Sequence, residues 1–128
     1  MDAETQDLAR FLDGRVEAAD FPHREHVRMA YALLRRHEFT DAAGRYANAL
    51  RDITRRAGKP EAFNLTVTIA FLALIAERLA AGPADDFNAF AHAHPDLFAK
   101  NVLARWYRPE QLASPLARRV FLMPEPGA

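Results

Sequence analysis

Two histidines stand three residues apart in the stretch FPHREHVRMAYALL, residues 21–34. Positions i and i+3 of a helix are neighbours on one face, so His23 and His26 can aim both imidazoles at one spot. They fall at the start of the helix this stretch specifies, where the positive end of the helix dipole disfavours imidazolium. A neutral ring there can accept a proton or bind a metal. A second polar group lies in FNLTVT, residues 63–68, which sets Asn64, Thr66 and Thr68 at the opening of the most apolar helix of the chain. A buried amide or hydroxyl without a partner costs on the order of 1–3 kcal/mol. These groups must therefore bond each other, the histidines, water or a ligand.

The elements that position these residues are helices, and periodicity finds almost nothing else. Leu8, Phe11, Leu12 and Val16 share one face of a helix over residues 4–16. A second helix runs over 22–37, with Pro22 suited to the first turn and Asp20 a candidate cap. It puts His23, His26, Val27, Ala30 and Leu34 on one side. The third, 40–57, starts at Thr40-Asp41 and aligns Ala43, Tyr46, Leu50, Ile53 and Ala57; Gly58 suits a left-handed cap and Pro60 blocks continuation. The fourth, 61–81, is apolar nearly all round, the mark of a helix surrounded by others, and Gly82-Pro83 closes it. Shorter pieces follow: a helix from Asp85-Asp86 stopped by Pro95, another turn or two of helix in DLFAKNVLARWY, brief helices at Pro109 and Ser114-Pro115, and an extended tail ordered through Phe121. The expected fold is all-α: a compact helical bundle of about five to seven helices forming one domain over residues 1–128, with an ordered core over 5–122.

Composition excludes several function classes. Arg and Lys balance Asp and Glu at 17 each, so no net field draws the chain to nucleic acid. With no cysteine there is no disulfide, thiolate nucleophile or zinc finger. The longest apolar run, Val67 to Ala76, is too short to span a bilayer, which speaks against a membrane protein. Residues 1–20 hold six acids and no signal-peptide pattern, which points to the cytoplasm. No G-x-G-x-x-G, P-loop, H-E-x-x-H or helix-turn-helix signature is present. The apolar fourth helix suits the centre of a monomer or, in part, a homodimer face.

Three ordered blocks carry a resemblance. Phe21, His23, His26, Val27 and Ala30 fit F-x-H-x-x-H-[LV]-x-x-A, and FNLT at 63–66 stands where a Y-H-E-T-like segment is expected. HPDLF at 94–98 and WYRPEQLASPLARRVFLMP at 106–124 complete the pattern. The chain thereby resembles a family of small, uncharacterised, all-helical bacterial proteins over about residues 8–124. In such relatives the two histidines plus a His-Glu pair look like a metal set. Here Asn64 and Leu65 replace that pair, which leaves His23 and His26 alone. Glu25, His92 and His94 are the remaining candidates for a third ligand.

Three functions follow as expectations. In the first, the protein is a small enzyme of a bacterial biosynthetic or modifying pathway with no cofactor. His23 or His26 acts as general acid or base, Asn64, Thr66 and Thr68 orient a small-molecule substrate, and Trp106 and Tyr107 close an apolar wall. Arg105 and Arg108, beside the aromatic pair, suit an anionic part of that ligand. Isomerisation, cyclisation, dehydration or hydrolysis all fit such a site. In the second, His23 and His26 hold iron, zinc or copper. In the third, the chain is a non-catalytic interaction module, the histidines are a buried pair bonded to Asn64, Thr66 or a backbone carbonyl, and Trp106-Tyr107 plugs the core. The arginine pairs at 35–36, 55–56 and 118–119 read mainly as solvated faces.

Overall fold

In a computed structural model, residues 2–82 and 84–125 are described. Pro83 and the last three residues, including the end of the tail, lie outside them. Every regular element among the described residues is helical. The α-helices are α1 (Ala3–Leu12), α2 (His23–Arg36), α3 (Phe39–Arg56), α4 (Leu65–Ala81), α5 (Phe87–Ala93), α6 (Pro109–Leu112) and α7 (Pro115–Arg119). Tight three-residue-per-turn helices occupy Ala18–Asp20, Pro60–Ala62, Pro95–Phe98 and Val102–Arg105. The expected all-α bundle is what forms. None of these helices is long and apolar enough to cross a membrane.

Boundaries differ from expectation where a cap or glycine intervenes. The first helix stops at Leu12, four residues early, because Gly14 turns left-handed at φ 74°. Asp20 sits in the short helix Ala18–Asp20 and does not cap α2, whose preceding residue is Pro22. The Pro22 carbonyl accepts from the N–H groups of Glu25 and His26. The start of the fourth helix moves from 61 to 65: Pro60 opens a separate turn, and Asn64 adopts an extended backbone with its Oδ1 accepting from Val67 N at 3.0 Å. Gly58 takes the expected left-handed conformation at φ 75°. Residues 96–107 form no α-helix; the two tight turns at Pro95–Phe98 and Val102–Arg105 replace it.

The core is one contiguous cluster, and α4 lies inside it with α2, α3 and α7 packed around it. That placement explains a helix apolar on nearly every side. Tyr46 of α3 is fully buried and donates its hydroxyl to the His26 carbonyl at 3.1 Å, which fixes the first turn of α2 against α3. Arg78 of α4 donates to both oxygens of Asp96 at 2.9 and 2.8 Å, and holds the turn after Pro95 against α4.

Candidate functional site

The first turn of α2, the first turn of α4, the middle of α3 and the segment 99–103 border a half-open cavity of about 440 Å³. His23, His26, Asn64, Thr68 and Lys100 are its polar side, and Phe21, Phe63, Phe71 and Leu103 are among its apolar walls. The spacing argument therefore places both histidines correctly on a shared inner face. Their ring centroids are 6.2 Å apart.

Their partners are not the ones expected. His23 bonds through Nε2 to the Leu97 carbonyl at 2.9 Å, an oxygen that can only accept, so Nε2 carries the proton. In the neutral ring Nδ1 is then an acceptor, and no partner for it exists among the described residues. Gln111 Oε1 is the one fully enclosed side-chain polar atom without a hydrogen bond among those residues, so Nδ1 keeps contact with solvent. His23 is half-buried and its ring lines the cavity. His26 packs against Phe21, with centroids 4.5 Å apart. Burial pushes its pKa down from 6.5 to about 4, and the neighbouring His23 pushes the same way, while the Phe21 backbone opposes them. His26 is neutral across the physiological range.

Neither histidine bonds Asn64 or Thr66. Asn64 caps α4 and donates Nδ2 to the Leu112 carbonyl at 2.7 Å. The Thr68 hydroxyl returns to the Asn64 carbonyl at 2.7 Å, so Asn64 and Thr68 border the cavity with much of their bonding capacity in use. Thr66 lies on the opposite side of α4, fully buried, with its hydroxyl donating to Val120 O at 2.7 Å. It is a tether for the tail and does not line the cavity.

Arg105, Trp106 and Tyr107 also stand away from it. Trp106 is 42% exposed, with the Arg105 guanidinium over its ring at 4.9 Å, so it neither plugs the core nor closes the wall. Tyr107 is buried, but its hydroxyl donates to Leu122 O at 2.8 Å. Arg108 pairs with Glu125 at 3.0 Å. The physical reason is the missing helix at 96–107: tight turns carry the aromatic pair toward the tail, and Ala99, Lys100, Val102 and Leu103 take its place at the cavity.

Lys100 is the lining residue that the sequence reading passed over. It is exposed at the cavity's edge, and no carboxylate pairs with it among the described residues. No periodic pattern marks it, since it sits between two short turns. For a resident metal the donor set stops at two imidazoles, one of which already uses Nε2 on a carbonyl. No group of three His, Cys, Asp or Glu suited to a metal occurs among the described residues. Glu25 is bonded to Arg28 at 3.0 Å, His92 is exposed, and His94 packs on Phe90 within reach of Arg78. The fit to a resident metal is therefore poor.

No protein-family model, curated protein or solved structure matches the chain significantly.

Proposed function

We propose that the cavity between α2, α3 and α4 binds a small organic molecule and supports acid–base chemistry on it without a cofactor. The observation that carries this reading is the convergence of His23 and His26 with Lys100 on one apolar-walled cavity of about 440 Å³, a size that suits a small metabolite. The geometry supports the following roles. His23 Nδ1 is the proton acceptor, because its proton sits on Nε2 and the Leu97 carbonyl holds the ring in that tautomer. His26, kept neutral by burial, is a weak base and serves to orient a hydroxyl or carbonyl. Lys100 offers a positive charge at the edge for an anionic or carbonyl group.

Isomerisation, cyclisation, dehydration and hydrolysis remain the reaction classes compatible with one imidazole base, one neutral imidazole and one ammonium. The resemblance to a small bacterial helical family is compatible with a role in a biosynthetic or modifying pathway, and the poor donor set places metal ligation second.

The test uses a variant that fills the cavity and keeps both histidines. Val67→Phe adds a ring at the half-buried wall. Wild type and variant are incubated with a fractionated bacterial metabolite extract and compared by native mass spectrometry. A small-molecule adduct on wild type that is absent from folded Val67→Phe supports the reading. Equal adducts on both, or none on either after the full set of fractions, would sink it.

A further inference from the structure

The arginines of this chain are mostly neutralised in place. Arg28 bonds Asp7 and Glu25, Arg36 bonds Glu4, Arg45 bonds Asp41, Arg56 bonds Asp52 and Glu17, and Arg78 bonds Asp96. A cleft between the C-terminal half of α3 and α7 breaks this pattern. It has a volume of about 420 Å³ and gathers Arg51 and Arg55 from α3 with Arg118 and Arg119 from α7. Arg51 stacks on the Phe63 ring at 4.7 Å and spends one N–H on Asn48, with no carboxylate partner among the described residues. Arg118 and Arg119 have no partner among the described residues. Arg55 reaches Asp52 only at 3.4 Å, and the other oxygen of that carboxylate is held by Arg56 at 2.8 Å. One acid, Glu61, shares the cleft.

Four guanidiniums, with Glu61 beside them and Asp52 shared between Arg55 and Arg56, make a local excess of positive charge in a chain whose formal net charge is zero. Each guanidinium presents a planar fork of donors, so a monocarboxylate could satisfy only one or two of them. A group with several charged oxygens on adjacent centres can engage the whole set. Pro60, Pro115 and Phe63 supply apolar wall beside the charges, and an open cleft of about 420 Å³ matches the size of a small molecule. The geometry points to this cleft as a binding site for a small polyphosphorylated molecule, a diphosphate ester or a bisphosphate. The assignment does not rest on the histidine cavity. The two spaces are neighbours, with Thr54 and Phe63 on the border of both, but the arginines line only this one.

The test is isothermal titration calorimetry of the full chain with inorganic pyrophosphate, at low and at physiological ionic strength. The variants are Arg118→Glu/Arg119→Glu and the milder Arg118→Gln/Arg119→Gln. Both replace exposed side chains that hold nothing else in place, and circular dichroism verifies the fold. The control is Arg10→Glu/Arg45→Glu, which makes the same net charge change at exposed sites outside the cleft. The expected result is saturable one-to-one binding, weakened at least about tenfold by the Glu pair and several-fold by the Gln pair, with the control within about twofold of wild type. No saturable binding by wild type overturns the proposal. So does equal weakening by the control, which would mean diffuse attraction. A short single-stranded RNA that binds far more tightly through the same arginines would also overturn it, in favour of a nucleic-acid surface.

Discussion

The Thr66 hydroxyl donates to the Val120 carbonyl across 2.7 Å and accepts from the Leu122 N–H at 3.0 Å. One fully buried side chain at the start of α4 thus satisfies two backbone groups of the extended tail. Thr66→Val keeps the shape and leaves both groups unpaired, at a cost of about 2 kcal/mol. Thr66→Ser keeps the hydroxyl and costs less than half of that. Urea denaturation checks the order, and trypsin cutting after Arg118 and Arg119 should be faster in the Val variant under native conditions. Equal midpoints for the Val and Ser variants would show that the tether carries no stability.

His26 makes stability depend on pH. Its pKa falls from 6.5 in the unfolded chain to about 4 in the folded one, chiefly through burial. The unfolded state therefore binds the proton first as pH drops. The contribution is fully present above pH 6.5 and is lost progressively down to about pH 4, where it has cost roughly 3 kcal/mol. His26→Gln removes this titration. Between pH 7 and pH 5 wild type should lose more stability than the variant by about 2 kcal/mol, read as the difference of the two urea curves so that carboxylate titrations common to both cancel. Parallel curves would mean that His26 titrates normally.

Sequence patterns made α2, α3 and α4 legible because each has a continuous apolar face or, for α4, a surface apolar on nearly every side. The shared face of His23 and His26 was legible for the same reason, since helical spacing alone sets it. Their bonding was not. Leu97 is 74 residues from His23 in the chain, and its carbonyl reaches the ring only because Pro95 starts a tight turn that Arg78 clamps through Asp96. Tight turns at 95–105 leave no periodic trace, so a helix was expected there, and with it an aromatic wall of Trp106 and Tyr107. Lys100 was hidden by the same error. The arginine cleft joins residues of α3 and α7 more than 60 positions apart, and nothing local in either helix marks the other as its partner.

Gly14 and Gly58 both have positive φ, at 74° and 75°, but their surroundings differ. A Cβ on Gly58 would meet nothing within 4 Å, so Gly58→Ala pays only for the backbone, about 1 kcal/mol. A Cβ on Gly14 would lie 2.8 Å from Asp52 Oδ2, the oxygen that Arg56 holds at the same distance. Gly14→Ala must strain the backbone and displace that ion pair, and should cost more than Gly58→Ala by about 1 kcal/mol. Thermal denaturation of the two variants side by side decides it; the reverse order would contradict the close approach of the turn after α1 to α3.

The assignment of His23 as the proton acceptor depends on which nitrogen carries its proton, and that is measurable without a substrate. A carbonyl cannot donate, so the 2.9 Å contact to Leu97 O requires the proton on Nε2 whenever the ring is neutral. Long-range proton–nitrogen correlation spectra above neutral pH should show His23 as the Nε2–H tautomer, with Nδ1 at the shift of an unprotonated nitrogen. Pro95→Ala frees the turn that presents Leu97 and should move His23 toward the tautomer mixture of a free imidazole, while His26, held between Phe21 and the cavity, changes little. A small ligand that donates a proton to Nδ1 would shift that nitrogen alone and leave Nε2 in place. If wild-type His23 instead carries its proton on Nδ1, the carbonyl contact is not a hydrogen bond. His23 would then face the cavity as a donor, and the base would have to be sought elsewhere among the lining residues.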